Sequence, residues 1–214
     1  MTDLKPQDIM KPEFKIMLAS ILTFLAFWFA TYTEPLSERR SREAMKEYNP
    51  EQLVDYHWQT DLQALAANAL PIEQFLQQLA ADPEALKAQS GHLLGIGSNV
   101  FYVITGQAQQ VTFCDDAFRF ECQGVDCRIP TRYIFGNVAR DASGWFDIGE
   151  FRNTMDFNSV SACINKRIKE QVIAPLLPQA QSLTECHYCA AIEVLPGQHK
   201  PDKLTLYPFI LEAQ

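Results

Sequence analysis

The chain has 214 residues and a formal net charge of −8, with 47% hydrophobic and 21% charged residues. That acidity excludes a nucleic-acid footprint, which requires a basic face, and the composition is that of a globular rather than a disordered chain. There is no internal repeat and no low-complexity tract.

Residues 1–15 read as a polar tail, ended by Lys15. Ile16–Thr33 then runs IMLASILTFLAFWFATYT, with no charge, glycine or proline, up to Glu34-Pro35. A spanning helix needs roughly 20 mostly apolar residues, so this run predicts a single transmembrane anchor at the short end of the range. No small-x-small cleavage site follows it, which argues against a cleaved signal peptide. No cysteine closes the run to take a lipid; the first is Cys114. Lys5, Lys11 and Lys15 on one side balance Arg39, Arg40, Arg42 and Lys46 on the other, so charge does not orient the anchor.

Residues 34–95 read as a charged stalk followed by a small helical module. Asn49-Pro50-Glu51-Gln52 combines a cap, a proline at the first helical position and a residue able to reach back. Leu53, Tyr56, His57, Leu62 and Leu65 continue at helical spacing, with His57 and Trp58 as packing residues. Pro71 opens a second helix, and Asp82-Pro83 caps a third that ends at Gly91. The glycine-rich stretch from Gly91 to Asn99 leads into a strand rather than a helix and lacks a following Lys-Ser/Thr, so it reads as a connector and not as a phosphate loop.

Residues 96–214 carry the strand signals. Val100–Thr105 is rich in β-branched and aromatic residues, and Gln107–Phe113 continues past Gly106. Turns at Asp115-Asp116 and Gln123–Asp126 separate further strands at Phe118–Glu121 and Arg128–Phe135. Gly136–Glu150 reads as irregular. A helix capped by Asp156 runs to about Ala174, with Val160, Ile164, Ile168 and Val172 as its apolar stripe and Lys166, Arg167 and Lys169 in its later half. Strands at about 183–195 and 203–211 close the chain. The class predicted is α+β: an N-terminal transmembrane helix, a small helical module, then an OB-like β-barrel with an interposed helix.

Several stretches resemble an uncharacterised bacterial family of predicted periplasmic lipoproteins. They are Tyr48–Trp58, Asp82-Pro83 with Ser90–Ser98, Phe101–Thr105, Phe135–Ala142, Phe151–Asp156 with Asn165, and Leu206–Glu212. The resemblance covers about residues 48–212 in order. It implies a helical module joined to an OB-like barrel outside the inner membrane, no established enzymatic activity, and genes beside ABC importers for ribose-like sugars. In this chain the hydrophobic helix stands in place of the lipid-accepting cysteine.

Two constellations invite chemistry. Arg140, Asp141 and Asn153, with Asp156, could hold a sugar-like ligand by bidentate hydrogen bonds; the competing reading is a loop ion pair and a helix cap. The six cysteines are many for a cytosolic protein of this size. Cys114, Cys122 and Cys127 lie in neighbouring hairpins as disulfide candidates, and Cys163 reads as a buried free thiol. Cys186-His187-Tyr188-Cys189 suggests a redox pair, or zinc held by Cys122, Cys127, Cys186, Cys189 or His187. The redox reading conflicts with its placement in a strand, where positions three apart face opposite ways, and one C-x4-C with one strand CxxC is a weak version of a zinc site. No paired carboxylates or nucleophile–base pair stands out, so neither catalytic residues nor a cofactor is expected. The leading expectation is a single-pass inner-membrane accessory protein with a periplasmic domain. A ligand-binding module is second, and a zinc or thiol protein, in the cytoplasm under that reading, is third.

Overall fold

The computed structural model describes residues 12–30, 48–94 and 97–213. Most of the polar tail, the charged segment 31–47 and the connector residues 95–96 lie outside them. The chain divides into two compact units, 1–48 and 49–214.

In the first unit, Pro12–Ala30 forms one helix, α1. Its hydroxyls are satisfied within the helix: Ser20 donates to the Ile16 carbonyl at 3.0 Å and Thr23 to Ala19 at 2.7 Å. Ile16, Leu22 and Phe24 are exposed. The predicted anchor overlaps α1 only over residues 16–30, since 31–33 lie outside the described residues. Among the described residues, no helix is long and apolar enough to cross a membrane.

The second unit opens with helices. In α2 (Pro50–Thr60), the Asn49 side chain accepts from the Glu51 and Gln52 amides, and Pro50 takes the first turn, where a missing N–H costs nothing. The expected long helix breaks at Asp61, whose carboxylate lies 2.6 Å from His57 Nδ1; α3 (Leu62–Ala67) follows. Leu70–Pro71 form a two-residue strand, β1, before α4 (Ile72–Ala81). Asp82 caps α5 (Pro83–Ser90) through the Ala85 amide.

The strands are β2 (Val100–Gln109), β3 (Thr112–Cys114), β4 (Ala117–Cys122), β5 (Val125–Pro130), β6 (Glu185–Val194), β7 (Lys203–Thr205) and β8 (Tyr207–Ala213). Asp115-Asp116 and Gln123-Gly124 all have positive φ. They make tight two-residue turns whose twist matches the flanking strands. Between β5 and β6 lie α6 (Val138–Ser143) and α7 (Thr154–Arg167), the latter running on through a π turn (Ile168–Ile173) and a 3-10 turn (Ala174–Gln179). The segment read as irregular therefore holds a short buried helix, α6. Asn153, not Asp156, caps α7.

The expected barrel is not closed. The strands form two four-stranded sheets, ordered β1-β2-β6-β8 and β3-β4-β5-β7. Two of the crossings between them are short breaks in otherwise continuous strands. One is at Gln110, with φ of 53°, between β2 and β3. The other is at Leu206, whose amide bonds Arg128 of β5 and divides β7 from β8. The two sheets meet at rings such as Phe120 and Tyr188, 5.2 Å apart between centroids. Ile104, Phe118, Ile129, Ile192 and Phe209 fill the core, and Val160 and Ile164 of α7 are fully buried as well.

Candidate ligand-binding groove

The three residues read as a possible ligand cluster occupy two different settings. Arg140 and Asp141 sit in α6 with side chains only 1% and 4% exposed. Arg140 directs both Nε and Nη2 at Asp141 Oδ1, each at 2.7 Å. Its Nη1 donates to the Phe157 carbonyl and to Asn158 Oδ1, both at 3.2 Å. The pair thus faces inward and binds α6 to α7. Burial lifts the Asp141 carboxyl above its ordinary range, and the Arg140 guanidinium opposes the lift. Asn153 is spent on the helix end: its Oδ1 accepts from the Asp156 amide at 2.8 Å and its Nδ2 donates to the Asp156 carboxylate at 3.1 Å.

The opening that sequence reasoning missed lies between the loop after β5 and the outer face of α7. It is an open groove of about 460 Å³, within the range of small-molecule sites. Asn165 of α7 straps the loop by donating to the Gly136 carbonyl at 2.9 Å. Gly136 itself has φ of 89°, with nothing within 4 Å of where a Cβ would stand, so backbone conformation rather than packing calls for glycine there. Phe135, 70% exposed, lines the groove. Asn158 lines it too, with its amide oxygen already engaged by Arg140, which leaves the NH2 as its free function. Ser161 is 5% exposed, and its hydroxyl has no hydrogen-bond partner. Arg132, Lys166 and Lys169 supply three cations against the single acid Glu170. The signal available in the sequence was i, i+3, i+4 spacing: Asn158, Ala162, Asn165, Lys166 and Lys169 share one helix face, away from the apolar stripe.

His57 and Trp58 are packing residues. His57 stacks on Trp145, with the rings 9° from parallel, and meets Phe146 edge-on. Trp58 contacts Trp145 and Phe209, and Arg167, ion-paired with Asp55, lies over its ring.

The disulfide expected among Cys114, Cys122 and Cys127 does not form, and all six cysteines are free thiols. The register explains it. Cys122 stands opposite Val125 and Cys127 opposite Phe120, while Cys114 stands opposite Ala117. Cys122 and Cys127 are therefore diagonal neighbours, a spacing too long for a disulfide. Among the described residues, no group of three or more His, Cys, Asp or Glu side chains is placed to hold a metal ion. Cys122, Cys127, Cys186 and Cys189 are thus not gathered into a zinc site. Cys186 and Cys189 are buried in β6. Burial pushes their thiols up to about 11 and about 12, opposite to what a redox pair needs.

No curated protein matches the chain. The crystal structure of an OB-fold protein from Thermotoga maritima is similar, with a TM-score of 0.68 and 22% identity over 78% of this chain and 99% of that one. This likeness shows the fold. The model of the family described as predicted periplasmic lipoprotein (DUF2291) matches residues 21–212, from within the apolar N-terminal run to the last strand. The chain belongs to the DUF2291 family of predicted periplasmic lipoproteins.

Proposed function

We propose that the protein is a single-pass inner-membrane protein whose OB-like domain stands in the periplasm as a non-enzymatic accessory or interaction module, working with a sugar ABC importer. The family match over residues 21–212 carries this reading. The exposed apolar side chains of α1 support the anchor, because lipid is the solvent that suits them. With residues 31–33, the apolar run reaches the length that a span requires. The family resemblance is what supports the importer.

The test uses Cys114, the exposed thiol. A membrane-impermeant maleimide should label it in intact spheroplasts without prior reduction, and the chain should stay with the membranes through alkaline carbonate extraction. Labelling only after lysis rules out the periplasmic placement, and release by carbonate rules out the anchor. Recovery of the importer's permease with the tagged full chain from solubilised membranes tests the association.

A second reading, a module that binds a small polar ligand, is favoured by the groove on α7: a strapped loop, an exposed ring and unspent polar groups occur together there.

A further inference from the structure

The geometry points to the α7 groove as a site for a small organic anion, a phosphate or carboxylate whose charged end meets Lys169, Lys166 and Arg132 and whose apolar part lies on the Phe135 ring. This inference rests on the ligand-binding reading and names its ligand class.

Charge decides between an anion and a neutral polyol. The chain is strongly acidic, with a net charge of −8, yet three of the lining side chains are cations and one is an acid. Lys and Arg can only donate hydrogen bonds. The hydroxyls of a neutral sugar need acceptors as well, whereas an oxyanion needs donors alone. The amide of Asn158 adds a donor, because Arg140 consumes its oxygen.

The cations are also available. Lys169 makes no ion pair among the described residues. Lys166 to Glu51 at 3.3 Å and Arg132 to Asp116 at 3.4 Å are pairs in which both cationic side chains are more than half exposed. Such surface pairs are weak and can yield to a ligand. The ring of Phe135 supplies the apolar surface beside this charge. The strap from Asn165 to Gly136 holds the loop before any ligand arrives, so little ordering cost remains for binding.

The experiment titrates the full chain, in a neutral polyoxyethylene detergent, with three probes. Phenyl phosphate represents a soluble ester, dihexanoyl phosphatidylglycerol a lipid headgroup, and methyl β-glucoside a neutral sugar. Phosphorus NMR follows the first two, and saturation-transfer NMR the third. Saturable binding of phenyl phosphate, weakened about tenfold by Lys169→Gln and by Phe135→Ala but unchanged by Lys87→Gln on α5, is the expected result. The same pattern with the lipid alone supports the site and identifies a headgroup as its source. Both groove positions are exposed, and circular dichroism checks that the variants stay folded. Anion binding that is absent, or indifferent to both groove variants, overturns the inference. Binding of the glucoside without either anion overturns it while leaving the ligand-binding reading in place. Silence from all three probes overturns both.

Discussion

The Arg140 guanidinium lies 3.5 Å from the centroid of the Phe157 ring while gripping the Asp141 carboxylate beside it. One of the stretches that carry the family resemblance, Phe135–Ala142, thus supplies a buried joint to α7. Removing one member of a buried ion pair strands the other charge, at about 3–5 kcal/mol. Arg140→Ala should destabilise the second unit by that order. Arg140→Leu combined with Asp141→Leu should lose much less than the sum of the two single changes. Urea unfolding followed by tryptophan fluorescence measures all of these, and simple additivity would show that the two side chains do not act as a pair.

Tyr188 and Gly106 make a second coupled pair. The Tyr188 hydroxyl is buried without a hydrogen-bond partner, and it lies 2.7 Å from where a Cβ on Gly106 would stand. A buried unsatisfied hydroxyl costs about 1–3 kcal/mol. Tyr188→Phe is therefore expected to match or exceed the parent in stability. Gly106→Ala should lose about 1–3 kcal/mol through overpacking, and Tyr188→Phe in the same chain should return part of that loss. A Tyr188→Phe protein that melts well below the parent would contradict this account.

The cysteines should react in an order set by burial. Cys114 is exposed, whereas burial pushes Cys127 up to about 12, beside the raised Cys186 and Cys189. Only the thiolate reacts. At pH 8, iodoacetamide should modify Cys114 first and leave Cys127, Cys186 and Cys189 untouched until urea unfolds the domain. Mass mapping of the labelled peptides gives the order directly; early modification of the β6 pair would be inconsistent with the packing described.

His92 should make stability depend on pH. Its backbone bridges to Phe101, and its ring lies where a Cβ on Gly144 would stand, 2.8 Å from Cε1. Burial lowers its pKa below 6.5 in the folded protein. Between the folded and unfolded values the unfolded chain binds more protons, so stability rises with pH across that window. The contribution is complete above 6.5 and is lost as pH falls through the folded value. His92→Gln should therefore flatten the stability profile just below pH 6.5. Parallel profiles for parent and variant, from urea midpoints at stepped pH, would remove His92 as the cause.

Much of the architecture was legible in the chain because its signals are local. Asn49-Pro50 and Asp82-Pro83 mark helix starts through groups a few residues away, and both caps form as written. The turns at Asp115-Asp116 and Gln123-Gly124 are equally local. Three features escaped for one shared reason, their dependence on distant partners. Leu70–Pro71 become a strand only because β2 lies alongside them. Val138–Ser143 contains three polar or charged residues in six positions, and no periodicity declares it a helix; its burial depends on Arg140 finding Asp141, Phe157 and Asn158. Cysteine spacing suggested pairing, but strand register placed Cys122 and Cys127 on a diagonal.

By itself, the sequence determined the apolar N-terminal run, the acidic character, the caps at Asn49 and Asp82, the turns and the family, all of which depend on composition or on neighbours along the chain. Only the tertiary structure decided that the strands divide into two sheets, that Arg140 and Asp141 face inward, and that the polar face of α7 meets a strapped loop to form a groove. The physical reason is that a polar side chain has no fixed use. Arg140 and Lys169 carry the same charge in the sequence, and only the packing around each makes one a buried joint and leaves the other facing solvent.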